Sequence, residues 1–485
     1  MGDLVGGAVF TVAVVAGACV LAGTAVGAAA GAATAPANAA ATTLTAAEAV
    51  LPAKAGSNPR VFMNSVSCAS AGNCTAVGAY DDSSRHQQGL LLTQTAGTWT
   101  RGVKPPLPAS AGSNPGTNVY SVSCASAGNC TAVGGYDDSS RHQQGLLLTQ
   151  TSGTWTAVKA PLPAGAAANP QALVKSVSCA SARNCTATGF YANRSGGFRA
   201  LVLTKTSGTW TAARAPVPAG AAANPDDFLG AVSCTSAGNC AATGDYLDRL
   251  GRDQGLLLTK TSGTWTAVKA PLPAGTVFDP FADVNSVSCT SAGNCTATGT
   301  YSDNSDHRQG LLLTQTAGTW AAVQAPLPAH PRFNPNVILN SVSCTSAGNC
   351  TAVGGYLDSS NHSPGLLLTQ TAGTWAAARP PLPAGAASDP GAGVFSVSCA
   401  SAGNCTAVGG YTDSSGKEQG LVLTRTAGTW AAARAPLPAN AGSNPRAGLG
   451  AVSCASAGNC TATGGYTDSS GARQGLLVTQ RRTAA

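Results

Sequence analysis

Residues 65–80 read SVSCASAGNCTAVGAY, and residues 89–99 of the same unit read GLLLTQTAGTW. The first stretch returns along the chain with its leading cysteine at Cys68, Cys124, Cys179, Cys234, Cys289, Cys344, Cys399 and Cys454. The first interval is 56 residues and every later one is 55. A fixed period of this length marks a repeat architecture, in which each unit buries its apolar face against its neighbours. Within the unit, alternation and turn residues mark four strands: SVSC, CTAVGGY, GLLLTQT and TWTAVKAP. Short Gly/Ser/Asn turns join the first to the second and the third to the fourth. The proline ending the fourth suits an outer edge, where a missing N–H costs least. Four short antiparallel strands in each of eight units predict an all-β, eight-bladed β-propeller. A β-helix would need shorter coils, and a separate 55-residue domain with one Trp would bury too little.

The chain ends test the ring. The last unit stops after its third strand, at GLLVTQ (475–480). The missing fourth strand is expected at the other end, where TLTAAEAVLP (43–52) aligns with TWTAVKAPLP and Leu44 takes the place of Trp. Such an N-terminal strand would complete the last blade and pair two edges that otherwise invite aggregation.

Seventeen cysteines are present, and sixteen of them form C-x5-C pairs. The pairs are Cys68 with Cys74, Cys124 with Cys130, Cys179 with Cys185, Cys234 with Cys240, Cys289 with Cys295, Cys344 with Cys350, Cys399 with Cys405 and Cys454 with Cys460. Each pair flanks a tight turn between the first two strands, so the two thiols can meet across a hairpin. No histidine accompanies them at a fixed offset, which argues against zinc. Eight structural disulfides are expected, each worth about 2 kcal/mol in the chain-entropy account, and with them an oxidising compartment. The seventeenth, Cys19, lies in an apolar N-terminal stretch of Ala, Val, Gly and Leu. That stretch ends in the A-x-A pattern Ala37-Asn38-Ala39, so residues 1–39 are expected to be an export signal and 40–485 the mature propeller. Asp3 stands where a signal carries a positive charge, and the segment is long enough to stay as a membrane anchor, with lipid attachment at Cys19 disfavoured by Ala16.

The composition excludes other classes. Charged residues are 10% of the chain and the net charge is +7, with Lys and Arg scattered singly, so no nucleic-acid surface is expected. No cofactor motif, metal triad, phosphate loop or nucleophile–base constellation is visible, and a monomer is expected.

The SVSC…NCTAVG…GTW pattern resembles the secreted, repeat-rich β-propeller proteins of actinobacteria, and the resemblance covers residues 43–480. It implies a fold and export rather than one activity. A fainter similarity is to the Asp-box of sialidase-type propellers, S-x-D-x-G-x-T-W. Residues 93–99, TQTAGTW, lack the Asp and are one residue short. The box is a structural turn, so no catalytic residue carries over.

With the first strand innermost, the second-to-third turns and the blade-to-blade linkers emerge on one face, which holds nearly all the loop variation. All five histidines lie there: His86, His142, His307, His330 and His362. Two patterns compete on this face. One is repetition: DDSSRHQ with Asp81, Arg85 and His86, its copy with Asp137, Arg141 and His142, and TDSSG with Asp413 and Asp468. Each follows a blade tyrosine (Tyr80, Tyr136, Tyr191, Tyr246, Tyr301, Tyr356, Tyr411, Tyr466) and would give weak equivalent sites that gain by avidity. The plain alternative is a packed Tyr and a turn-forming Asp. The other pattern is asymmetry, because blades 3–6 leave the consensus together. They supply Asn193, Arg194, Phe198, Arg199, Asp226, Asp227, Phe228, Arg249, Arg252, Asp253, Phe278, Asp279, Phe281, Asp283, His330, Arg332 and Phe333. Phe interleaved with Asp and Arg is what one ligand-binding patch would show, against drift in surface loops as the alternative. The expectation is a non-enzymatic extracellular propeller that binds glycan or another surface ligand. A sialidase-like hydrolase or lyase and a structural cell-envelope protein are the alternatives. A glycosidase usually needs two opposed carboxyls, and the chain's two glutamates, Glu48 and Glu418, form no evident pair.

Overall fold

Each unit folds as one antiparallel four-stranded sheet, and eight such sheets form the propeller in a computed structural model that describes residues 42–482 except Phe278. The signal and anchor expectations for residues 1–39, and Cys19, lie outside the described residues. Blade 1 runs Phe62–Ser70, Asn73–Asp81, Gln87–Thr95 and Thr98–Trp99. The first strands of neighbouring blades lie against one another all the way round, including Phe62–Ser70 of blade 1 against Gly448–Ser456 of blade 8. The first strand is therefore innermost.

The expected closure is present. Thr42–Glu48 pairs antiparallel with Arg473–Arg482, with Leu44 opposite Gln480. In blade 2 Trp155 stands opposite Gln150 in the same register, so Leu44 does replace the tryptophan.

The GLLLT run explains itself once the blades are stacked. Leu90, Leu91 and Leu92 are all fully buried, because both faces of the third strand are covered. Leu91 packs toward blade 2, while Leu90 and Leu92 pack toward blade 8. Every blade interface carries one such apolar cluster, and the interface of blades 8 and 1 joins Leu477 to Ala76, Leu90 and Leu92.

The SVSC motif stitches blades together. The Cys124 N–H donates to Ser67 Oγ of the preceding blade at 3.0 Å, and the same bond recurs at all eight interfaces, ending with Cys68 N–H to Ser453 Oγ at 3.0 Å. The earlier serine of the motif accepts similarly, as Ser65 does from the Val122 N–H. Two blades carry Ala231 and Ala451 there and have no hydroxyl to offer.

All eight expected disulfides form within hairpins: Cys68 to Cys74, Cys124 to Cys130, Cys179 to Cys185, Cys234 to Cys240, Cys289 to Cys295, Cys344 to Cys350, Cys399 to Cys405 and Cys454 to Cys460. Their Cα–Cα distances are all 4.0 Å. The sequence reading treats each bridge as a staple across a turn, and the structure differs in how deep the staple reaches. The first cysteine of each pair is half-buried, but Cys74, Cys130, Cys185, Cys240, Cys295, Cys350, Cys405 and Cys460 are only 3–5% exposed. The cause is the second strand, which is sandwiched between blades where the turn is not. These sulfurs therefore also belong to the blade interfaces. The threonine of NCT reaches across to the next blade's bridge, as Thr75 Oγ1 does to Cys130 Sγ at 3.3 Å. Cys185, Cys240, Cys350, Cys405, Cys460 and Cys74 are met in the same way by Thr131, Thr186, Thr296, Thr351, Thr406 and Thr461. Blade 4 carries Ala241 at this position and brings no hydroxyl to Cys295. The bridges point to an extracellular or otherwise oxidising environment. Among the described residues no helix is long and apolar enough to cross a membrane.

Gly78 and its counterpart in every blade are forced by a β-bulge. The first strand shifts register between Met63 and Ser65, and this pushes the Phe62 carbonyl onto the spot a β-carbon at 78 would occupy.

Candidate functional site

The variable loops do share one face. The linker entering each blade bridges to the turn between that blade's second and third strands, as Ala55 does to Asp82 and Ala441 to Asp468. Of each Asp pair it is the second, Asp82 and Asp138, that matches Asp413 and Asp468 and is used up on that turn, while Asp81 ends the second strand and pairs with Arg60. Asp82 Oδ1 accepts from the N–H groups of Ser84 and His86 at 2.9 and 3.1 Å, and Oδ2 accepts from Gln88 Nε2 at 2.9 Å. Asp138, Asp248, Asp303, Asp413 and Asp468 repeat the pattern, and Asn193 makes the two backbone bonds in blade 3. In Asp138 and Asp413 these bonds hold the carboxyl below its ordinary range. In Asp82, Asp248, Asp303, Asp358 and Asp468 burial pushes the other way and the hydrogen bonds outweigh it. The preceding tyrosines are buried too, at 0–4% exposure, so they pack between blades and offer no face to a ligand. Burial pushes the Tyr80 hydroxyl up to about 12.

The asymmetric residues behave differently. Three register positions meet where one blade faces the next: the residue before the buried Tyr, the first residue of the third strand, and the first residue of the next blade's inner strand. In blades 6, 7 and 8 the first of these is Gly355, Gly410 and Gly465. Between blades 3 and 4 all three are phenylalanine. Phe190, Phe198 and Phe228 form a closed cluster, with ring centroids 5.5, 5.1 and 5.4 Å apart. One blade on, the same three positions are Asp245, Asp253 and Asp283, with Arg308 across from Asp283.

These carboxyls feel one another. Burial pushes Asp245 up to about 7, helped by the charges of Asp283, Asp253 and Asp227. Burial also raises Asp283, opposed by Arg308, and raises Asp253, to which the charge of Asp279 adds. Asp227 and Arg199 sit behind the phenylalanines, at 0% and 4% exposure, 3.8 Å apart. Asp227 Oδ2 accepts from the Ala200 N–H at 3.0 Å, and Asp226 Oδ1 accepts from the Phe198 N–H at 2.8 Å. This buried lattice fixes the phenylalanine edge of the crevice.

The remaining candidates lie apart. Arg194 and Arg249 are exposed at loop tips. Arg252 is tied to Asp248, 2.6 Å away. Phe281 is 56% exposed in the linker beside the carboxyl crevice. Phe278 lies outside the described residues. Between blades 5 and 6, Phe333 stands 87% exposed with its ring 4.7 Å from that of His307, Arg332 donates to Asn361 Oδ1 at 2.7 Å, and His330 is exposed. Of the sequence candidates, the structure thus brings together Phe198, Arg199, Asp226, Asp227, Phe228, Asp253, Asp279 and Asp283. It adds Phe190 and Asp245, whose signal was the loss of a small residue from the GGY consensus. Among the described residues no group of three His, Cys, Asp or Glu could hold a metal ion.

No family model matches the chain, and no curated protein matches it. Solved structures do. AofleA from Arthrobotrys oligospora aligns at 12% identity and a TM-score of 0.34, over 69% of this chain and 88% of that one. The Trypanosoma rangeli sialidase aligns at 8% identity and a TM-score of 0.38, over 90% of this chain and 59% of that one. The Hadza microbial sialidase Hz136 aligns at 13% identity and a TM-score of 0.37, over 70% and 73%. These are distant likenesses of fold.

Proposed function

We propose that this is an exported binding propeller, delivered by residues 1–39, that recognises carbohydrate without turning it over. The binding edge is the pair of crevices running from Phe190, Phe198 and Phe228 to Asp245, Asp253 and Asp283. The observation that supports this is the substitution at identical register positions: neighbouring crevices, otherwise built from one repeat, become fully aromatic and then fully acidic. Sugar rings offer an apolar face to aromatic rings, and their hydroxyls donate to carboxylates. An aromatic cluster beside acceptors suits that chemistry, and the rigid blades pre-organise it. Glycan-array binding by the intact protein tests it. Binding should fall at least about tenfold, the worth of one good contact, in both Phe228→Ala and Asp283→Asn. Array binding that both variants retain would overturn the proposal.

One observation favours a second reading. Asp245, with a pKa pushed up to about 7 beside two further carboxyls, is suited to hold a proton at neutral pH, as a general acid does. That reading makes the same crevice a glycan hydrolase. It requires turnover of a bound glycan that disappears in Asp245→Asn.

A further inference from the structure

The opposite face carries a feature that no repeat logic requires. The 56-residue first interval comes from one extra residue in the fourth strand of blade 1, where Arg101-Gly102 stands in place of a single alanine. The strand is cut to Thr98–Trp99, with one more backbone bond from the Thr100 N–H to the Thr93 carbonyl at 3.0 Å, and after the insertion it pairs again at Val103, opposite Leu91. Arg101 and Gly102 together face Leu92, which makes this a β-bulge. It is held from behind, since the Gly102 N–H donates to the Val50 carbonyl at 2.7 Å and Arg101 Nη1 donates to the Leu51 carbonyl at 2.9 Å.

Beside the bulge, between blades 1 and 2, lies a cleft of about 520 Å³. Equivalent crevices hold about 290 Å³ between blades 8 and 1, and about 20 Å³ between blades 5 and 6. The cleft is within the range of small-molecule sites, roughly 300–1,000 Å³. Its walls are Arg101, Thr93 and Asn73 on blade 1, and Trp155, Gln150 and Ser126 on blade 2. Gln150 is 3% exposed; its Nε2 donates to the Gly153 carbonyl at 3.3 Å, while its Oε1 is buried without a hydrogen-bond partner. In blade 5 the matching Gln315 keeps the equivalent bond, Nε2 to the Gly318 carbonyl at 3.1 Å, and also reaches across the narrower crevice to Thr259 Oγ1 at 2.9 Å; its Oε1 likewise has no partner.

We propose that this cleft is a second binding site, for a neutral polyhydroxylated ring molecule of monosaccharide size. The lining dictates the class. None of its residues is acidic, so it offers nothing to a metal ion or an organic cation. Thr93, Asn73, Ser126 and Gln150 make the walls mainly neutral hydroxyls and amides, which both donate and accept and so suit a neutral guest better than an anion. Arg101 is exposed at the rim and has donors beyond its bond to the Leu51 carbonyl, which favours a guest with acceptors over a purely apolar one. A hydroxyl both donates and accepts, and Trp155 supplies an aromatic face for a ring. The proposal is independent of the crevices on the variable-loop face.

Saturation-transfer NMR on the intact protein, with a panel of neutral monosaccharides and with inorganic phosphate, tests it. At least one sugar should bind, and phosphate should not displace it. Gln150→Leu should weaken binding about tenfold. Replacing Arg101-Gly102 by one alanine, which restores the 55-residue spacing, should abolish it. In a Phe228→Ala background some sugar binding should remain and should still be weakened by Gln150→Leu, so loss of the cleft and loss of the variable-face site are separable. The proposal is overturned if no sugar in the panel binds, if Gln150→Leu binds as tightly as the parent, or if phosphate displaces the sugar.

Discussion

Asp245 replaces a glycine or another small residue of the repeat, and its chemistry follows from the neighbours that change with it. Its folded pKa is pushed up to about 7 by burial, then by Asp283, Asp253 and Asp227, whereas an unfolded aspartate titrates near 3.8. The folded state therefore holds the proton more tightly between those values, and this group's contribution to stability falls as pH rises from about 4 to about 7. Asp245→Asn should flatten that slope and raise stability at pH 8 by about 1–2 kcal/mol, after discounting for partial exposure; thermal melts at pH 5 and pH 8 check this. A melt difference unchanged by the substitution would mean the carboxyl ionises freely. The serine stitches make a second residue-scale prediction. Ser123→Ala, which deprives the Cys179 N–H of its acceptor, should cost about 1 kcal/mol, and Ala231→Ser should recover up to that much in denaturant midpoints. The motif was legible as a strand from its alternation. Its cross-blade bond was not, because recurrence shows that a hydroxyl is kept in register without showing which neighbour it meets. Phe190 and Asp245 escaped for a related reason: they lie inside a strand beside a buried tyrosine, while the visible variation lay in loops.

At the level of the element, the turn between the second and third strands is an Asx turn in every blade. The Asp-Ser-Ser loops could be read either as ligand sites or as turns, and the hydrogen bonds decide for turns. Because the folded carboxyls titrate below their ordinary range, the stability they confer is present at neutral pH and is lost as pH falls through their folded pKa values. Asn193 shows that the amide serves equally well for the backbone bonds. Asp303→Asn should then keep the Tm at pH 7 and blunt acid unfolding, whereas Asp303→Ala should lower the Tm at both pH values. Equal melts for the two variants would show that the side chain does not hold the turn. The disulfide hairpin was legible from the C-x5-C spacing, but the burial of its second sulfur, as at Cys185 or Cys350, was not, because depth depends on the neighbouring blade. The one-residue insertion in blade 1 was visible as a spacing of 56, but its result, a bulge that truncates a strand and opens a cleft, depends on contacts to Val50 and Leu51 in the preceding linker.

For the whole molecule, eight near-identical units would give eight near-identical crevices, and function enters where the units stop being identical. That sector, blades 3 to 5, lies within a ring whose rigidity comes from apolar interfaces, serine stitches and eight disulfides. The ring and its four-stranded blades were legible because period, cysteine spacing and the unmatched ends all pointed the same way. The ligand was not, since propellers host many functions and the site rests on a handful of positions. The closure itself is directly measurable. Thr43 and Arg481 are register partners across the seam, so a Thr43→Cys, Arg481→Cys double variant places two thiols on adjacent strands. Peptide mapping of the oxidised, unreduced protein should recover a cross-linked peptide joining residues 43 and 481 beside the eight native bridges. Recovery of both new cysteines as free thiols, with the native bridges intact, would mean the ends do not meet.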